Sequence, residues 1–258
     1  MSSTINRDDT AMPTAPRSAK KAAESAAPAL ATRREWWGLA VLMLPVLIVS
    51  IDNTVLSFAL PFIALDLRPS AAMQLWIVDI YPLVLAALLV SMGNLGDRIG
   101  RRRLLLIGAV GFAVMSVVAA YSTSAEMLLI ARAATGVFGA ALMPCTLSLL
   151  RGMFHDRSQR RLAIAVWATG FAAGGAIGPI VGGLLLEHVF WGSIFLIAVP
   201  FLLPLLILAP VLVTESRDPN PGPFDVVAIV LSMLTFAPIV FAIKHAATVG
   251  FDLITVGA

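Results

Sequence analysis

Charge is what this sequence has least of: Asp, Glu, Lys and Arg make up 13% of its 258 residues, against about 25% in soluble proteins. The shortage is concentrated, because residues 104–125, 162–186 and 189–214 contain none of the four. Cysteine is nearly absent as well. The single Cys145 excludes an intrachain disulfide framework and any cysteine-based metal site. The three histidines, His155, His188 and His245, fall at or near loops with no HExxH spacing, so they are expected to be solvated or interfacial. No GxSxG nucleophile motif occurs, and nothing implies a metal, a cofactor or an enzymatic reaction.

What fills the space is apolar: 59% of the chain is hydrophobic. A bilayer core of about 30 Å is crossed by about 20 helical residues, so the long uncharged runs read as membrane spans and an ordinary soluble enzyme is excluded. Seven spans are expected, at 37–62, 75–95, 104–122, 126–148, 162–185, 190–212 and 225–244. Short polar connections between them predict antiparallel packing of consecutive helices. Residues 1–35 are rich in Ala, Ser, Thr and Pro with mixed charges, which predicts a disordered tail. No cleaved leader is expected, since the first apolar run begins at Trp36 and is too long for one. The remaining boundaries are a six-helix unit over 36–212, a loop over 213–224, and helix 7 with the start of a further segment over 225–258.

The basic balance, +3 overall, does not point to nucleic acid, because the 18 Lys and Arg are scattered among short loops. Fifteen of them lie in the tail, the 2–3 loop, the 4–5 loop and the 6–7 loop, while only Arg68 and Lys244 lie in the loops of opposite side. The positive-inside rule then predicts a cytoplasmic N-terminus and, after seven helices, an outside C-terminus.

Three charges lie inside spans. Asp52 is about 15 residues, roughly 22 Å, into helix 1, where an acid costs about 2.5–3.5 kcal/mol on insertion scales. It is expected to face the protein interior or a wet cavity, and to pair or bind a proton; the plainer alternative is a packing acid hydrogen-bonded with Asn53 or Thr54. Arg132, about two turns into helix 4, and Asp79, about one turn into helix 2, lie nearer the outer side. An arginine facing a carboxylate lowers that acid's pKa while burial raises it, an opposition that makes a proton site tunable. Helix 5 carries Gly170, Gly174, Gly178 and Gly182 four residues apart, with Gly175, Pro179 and Gly183 beside them. That face can pack tightly or form a moving contact. The 2–3 connection, Gly93-Asn94-Leu95-Gly96-Asp97-Arg98-Ile99-Gly100-Arg101-Arg102-Arg103, places one acid among arginines beside turn-permitting glycines, which suggests an ion cluster holding one conformation. Trp36, Trp37, Trp76 and Trp191 fit interfacial belts; Tyr81 and Trp167 lie deeper and could present ring faces to a cationic ligand, or simply pack.

These residues resemble the major facilitator superfamily, and within it the 14-helix drug/proton antiporters. The loop 2–3 signature is matched at Gly93, Leu95, Asp97, Arg98, Gly100, Arg101 and Arg102, and the helix 5 antiporter signature at Gly174, Gly178, Pro179, Gly182 and Gly183. Asp52-Asn53-Thr54-Val55 with Ala59-Leu60-Pro61 is similar to the helix 1 motif of the 14-helix group, and Trp76 to Tyr81 to the helix 2 entrance of quaternary-ammonium efflux proteins. In the helix 4 motif Leu128, Arg132 and Gly136 match, while Thr135 stands where many members carry Gln and Phe138 where a small residue is usual. The resemblance implies an all-α membrane protein: the N-terminal six-helix bundle of a transporter plus one linking helix, half of a fourteen-helix whole. It implies proton-coupled efflux of lipophilic and quaternary-ammonium cations across the inner membrane, with Asp52 and Arg132 coupling protons and Asp79, Asp52 and Tyr81 meeting substrate. The partners implied are the bilayer, the drug cation, protons, and a missing C-terminal half or second copy. The alternatives are a uniporter or symporter for a metabolite, and a half-transporter that needs a partner. A retinal protein is disfavoured because Lys244 lies at the very end of helix 7 rather than inside it.

Overall fold

The computed structural model describes residues 30–217. The tail before residue 30, helix 7 at 225–244 with Lys244, and the C-terminal segment lie outside the described residues. Within them, six helices are long and apolar enough to cross a membrane: α1 (Arg33–Leu67), α2 (Ala71–Ile99), α3 (Arg101–Ala120), α4 (Ala125–Met153), α5 (Arg157–His188) and α6 (Ser193–Leu212). These correspond to the first six of the seven expected spans, but most run past their apolar runs. α1 takes in Arg33 to Glu35, which composition assigned to the tail, and α3 to α5 take in arginines of the basic loops. A helix need not stop where hydrocarbon stops, because beyond it headgroups and water solvate the charged side chains.

Local chemistry sets the ends. Thr32 and Glu35 form a capping box at the start of α1, and Arg68 closes that helix in the left-handed region at φ 46°, just before Pro69. Ser70 accepts from the Met73 amide at 3.2 Å and Ser124 from the Met127 amide at 3.1 Å, opening α2 and α4. Asp156 opens α5 by accepting from the Ser158 and Gln159 amides; the Ser158 hydroxyl, first, and these amides hold its carboxyl below the usual carboxylate range. α6 is broken at Ile197 into Ser193–Leu196 and Ala198–Leu212. Pro200 explains the break, since it has no N–H to give the Leu196 carbonyl.

The described helices are apolar outside as well as inside: Leu65, Val90, Ile130, Ile180 and Val211 are all exposed. Lipid, not water, is the solvent such a surface suits. α1 is the most enclosed helix, with 67% of its most apolar window buried against 17% for α5 and 28% for α2. It packs on α5 and α6, while α4 packs on α2 and α3. Two apolar clusters fill the interior, one including Val49, Leu105 and Leu150, the other including Ile51, Val55 and Leu128. Asp52 stands at their junction.

The α1–α5 contact is built on the glycine face. Gly174 would place a Cβ 2.7 Å from that of Ser50, and Gly182 would place one 2.7 Å from Val55 Cγ2. A Cβ on Gly178 would overlap the Thr54 hydroxyl. Ser50 Oγ donates to the Phe171 carbonyl at 2.5 Å, adding a polar tie between the two backbones. Gly183 is outside this contact, with no described residue within 4 Å of where its Cβ would stand. Gly178→Ala should therefore lower thermal stability by about 1–3 kcal/mol through overpacking. Gly183→Ala should leave it unchanged or raise it by up to about 1 kcal/mol through helix propensity. Melting of the purified variants in detergent checks the contrast; equal effects at the two positions would contradict this packing.

Candidate functional site

At 100° per residue, positions two apart on a helix point nearly opposite ways. Ser50 and Thr54 face α5, so Asp52 is directed away from it, toward α4. There Arg132 Nη1 donates to Asp52 Oδ2 at 2.7 Å, with the side chains 1% and 6% exposed. The helix 1 acid and the helix 4 arginine, 80 positions apart in sequence, are thus a buried ion pair. Asn53 and Thr54 are not its partners: Asn53 Nδ2 donates to the Val49 carbonyl at 2.8 Å, and Thr54 Oγ1 to the Ser50 and Ile51 carbonyls.

Tyr81, expected either to present its ring to a cationic ligand or to pack, completes the site. Its ring is wholly buried, and the Arg132 guanidinium carbon lies 4.4 Å from the ring centre. The ring face read as open to a ligand is occupied by the protein's own cation in this conformation. Gly136, one turn beyond Arg132 on the same α4 face, permits this approach: a Cβ there would stand 2.8 Å from the Tyr81 carbonyl oxygen. Phe112 meets Tyr81 edge-on at 6.2 Å. Asp79, two residues before Tyr81 and so turned nearly opposite to it around α2, is half-buried.

The departures in helix 4 are absorbed locally. Thr135 Oγ1 donates to the Ala131 carbonyl at 2.8 Å, a bond within its own helix. The Phe138 ring lies where a Cβ on Gly111 would be, so α3 makes room for the larger side chain.

Sequence reasoning missed Phe195 and Glu215. Phe195, in the first turn of α6, lies 5.7 Å from the Arg132 guanidinium carbon. It meets Trp191 edge-on at 6.4 Å, and Trp191 Nε1 donates to Asp66 Oδ2 at 2.7 Å, so this tryptophan has a specific partner besides its interfacial position. Nothing in local sequence marks Phe195; the contact depends on where α6 packs.

The 2–3 connection is a second polar site at the basic end of the bundle. Asp97 Oδ1 accepts from Arg101 Nε at 2.6 Å, bridging the turn. Gly100 is the whole connection between α2 and α3, with φ 107°, which L side chains rarely adopt. α3 has no acidic residue in its first turn and no side-chain cap of its own. Glu215 supplies one, accepting from the Arg102 amide at 2.9 Å and the Arg103 amide at 3.3 Å. In return, Arg102 Nη1 donates to the Pro210 and Val213 carbonyls, and Arg34 Nη2 to that of Val211. Each helix end thus receives the charge its dipole favours from a neighbour. Gly93 and Arg98 belong to the same end of α2. A cavity of about 270 Å³ opens there, lined in part by Gly93, Asn94, Asp97, Arg101, Ser148 and Arg151. It is 12 residues, roughly 18 Å, from Tyr81 along α2 and so is separate from the buried pair.

Residues 42–255 match the family model of the Major Facilitator Superfamily. The chain belongs to that superfamily. It is 68% identical over 219 residues to the multidrug efflux pump LfrA of Mycolicibacterium smegmatis, covering 85% of this chain and 44% of LfrA. It is 38% identical over 213 residues to the methyl viologen resistance protein SmvA of Salmonella typhimurium, covering 83% of this chain and 43% of SmvA. The chain therefore spans less than half the length of these relatives. Among solved structures, a peptide transporter (POT, E310Q mutant, with sulfate) superposes with TM-score 0.63 at 16% identity, covering 85% of this chain and 48% of the other; this likeness concerns the fold alone. The fold is accordingly that of a multi-pass major facilitator transporter, as the motifs implied.

Two outcomes test the site. Arg132→Leu leaves Asp52 buried without its cation and should cost about 3–5 kcal/mol, whereas Asp52→Leu combined with Arg132→Leu should recover most of that loss. Thermal melts of both proteins decide it. Glu215→Ala should destabilise the first turn of α3 by about 1 kcal/mol, the size of a lost helix cap. Faster amide hydrogen exchange at Arg102 and Arg103, without a change elsewhere in the bundle, is the expected reading.

Proposed function

We propose that this chain is the N-terminal part of a proton-coupled exporter of lipophilic cations, with the buried Asp52–Arg132 pair as its exchange site. The observation that carries this reading is an acid and an arginine paired in the middle of an apolar bundle, in a chain whose relatives include a multidrug efflux pump. Structural stability alone is weak justification for such a pair, since apolar replacements of buried ion pairs are often neutral or stabilising.

The pair has two charge states. With Asp52 ionised its net charge is zero; with Asp52 protonated the positive Arg132 remains. A cationic substrate is therefore tolerated in the first state and repelled in the second, so proton and drug compete. Loading from outside drives the exchange, with each proton contributing about 1.4 kcal/mol per pH unit and about 2.3 kcal/mol per 100 mV. Methyl viologen, in the name of one relative, is a quaternary dication of the class this logic suits. Asp79 serves as an accessory negative charge near the entrance. Tyr81 acts through Arg132 in the closed conformation and meets substrate only if the pair opens.

Alternating access requires a second bundle rocking against this one. On this reading residues 36–212 are the first bundle, 213–224 a cytoplasmic loop and 225–258 a linking helix with the start of a further segment. The opposing bundle is a C-terminal half or a second copy. The basic end faces the cytoplasm and the membrane is the inner, energised one. Gly93, Asp97, Arg98, Gly100, Arg101 and Arg102 bias the conformational equilibrium. The helix 5 glycines Gly174, Gly178 and Gly182 keep α5 and α1 together while Pro179 leaves α5 pliable, and Gly183 faces outward.

In everted vesicles carrying the complete transporter, Asp52→Asn should abolish proton-driven ethidium efflux while leaving some binding or downhill exchange. Asp79→Asn should weaken export of dications more than monocations. Full proton-driven efflux by Asp52→Asn would refute the assignment.

A further inference from the structure

The Arg132 guanidinium offers five N–H groups. Nη1 donates to Asp52, and Nε has no hydrogen-bond partner among the described residues. Two ring faces lie beside the guanidinium, Tyr81 at 4.4 Å and Phe195 at 5.7 Å, both rings buried. The Tyr81 hydroxyl likewise has no hydrogen-bond partner among the described residues, so the ring rather than the hydroxyl is what engages the cation. An aromatic face attracts a cation through its quadrupole, most strongly when desolvated. Unlike a carboxylate, it does not lose that attraction when a proton arrives.

Building on the proton-exchange reading, we infer that Tyr81 and Phe195 are positioning residues that hold Arg132 beside Asp52 in both protonation states. While Asp52 is ionised, the ion pair alone can keep Arg132 in place. Once Asp52 is neutral, the rings keep the guanidinium from turning away, so its field still acts on the acid and favours release of the proton. The rings thus set the pH at which Asp52 exchanges. The groups facing Asp52 are Arg132 from α4 and Tyr81 from α2, with Phe195 of α6 beyond the guanidinium; the part-buried Asp79 is turned nearly opposite to Tyr81 around α2, and α5 turns its glycines to the far side of α1. Phe195 is itself steadied by Trp191, which Asp66 holds from α1.

Removing a ring frees Arg132 mainly in the protonated state, stabilises that state relative to the ionised one, and so raises the titration midpoint of Asp52. The test is infrared difference spectroscopy of the full chain in lipid nanodiscs across a pH series, with the protonated carboxyl band assigned by its loss in Asp52→Asn. Tyr81→Leu and Phe195→Leu should each move the midpoint upward by about one pH unit, while Tyr81→Phe, which keeps the ring, should stay near wild type. If Tyr81→Leu does not fold, Phe195→Leu and Tyr81→Phe carry the same comparison. Unshifted midpoints in the folded leucine variants would overturn the clamp while leaving proton exchange intact. A shift in Tyr81→Phe as large as in Tyr81→Leu would also overturn it, by assigning the effect to the hydroxyl. Absence of any titrating Asp52 band would instead remove the exchange reading, and the clamp with it.

Discussion

A carboxylate and a guanidinium buried among apolar helices constrain everything around them, because neither tolerates hydrocarbon without the other. Asp52 and Arg132 meet at 2.7 Å between two apolar clusters, and the helices that carry them must hold that register. α1 is oriented by its glycine-lined contact with α5, which points Asp52 the other way. α4 is oriented by Gly136, which lets α2 bring Tyr81 over the arginine. Close backbone approaches at Gly174 and Gly136 thus serve the pair, one beside each of its two helices.

The basic end obeys a different logic. There, helix termini rather than side chains in mid-membrane need satisfying, and the answer is reciprocal: Glu215 caps α3, while Arg102 and Arg34 cap the end of α6. Such contacts are partly exposed, screened by salt and individually modest. Contacts of this kind fit the conformational role proposed for this end of the molecule. Asp97 and Arg101 bridge the Gly100 turn in the same regime.

Much of this was legible in the residues alone. The spans emerged from uncharged runs, because lipid imposes a length on every crossing helix. Asp52 stood out because an acid there is costly, and the glycines because their spacing repeats the helical turn. Helix ends were less legible: charges that end an apolar run do not end a helix, so α1 begins at Arg33 and α5 continues to His188. Least legible were the contacts that depend on tertiary placement. For Tyr81 the depth was visible but the neighbour was not, so a ligand-facing ring and a packed one could not be told apart. Phe195 was one apolar residue in an apolar helix, and Glu215 looked like an ordinary loop acid, although it comes directly after a 26-residue stretch without charge.

The idea that ties these features together is that a drug cation and a proton displace each other at Asp52. Its most direct measurement is proton release on drug binding, read with a pH indicator in weakly buffered detergent solutions of the complete transporter. Adding a quaternary-ammonium substrate near the titration midpoint of Asp52 should release protons from the wild-type protein and none from Asp52→Asn. Binding of the drug without proton release in the wild type, or equal release from Asp52→Asn, would contradict it.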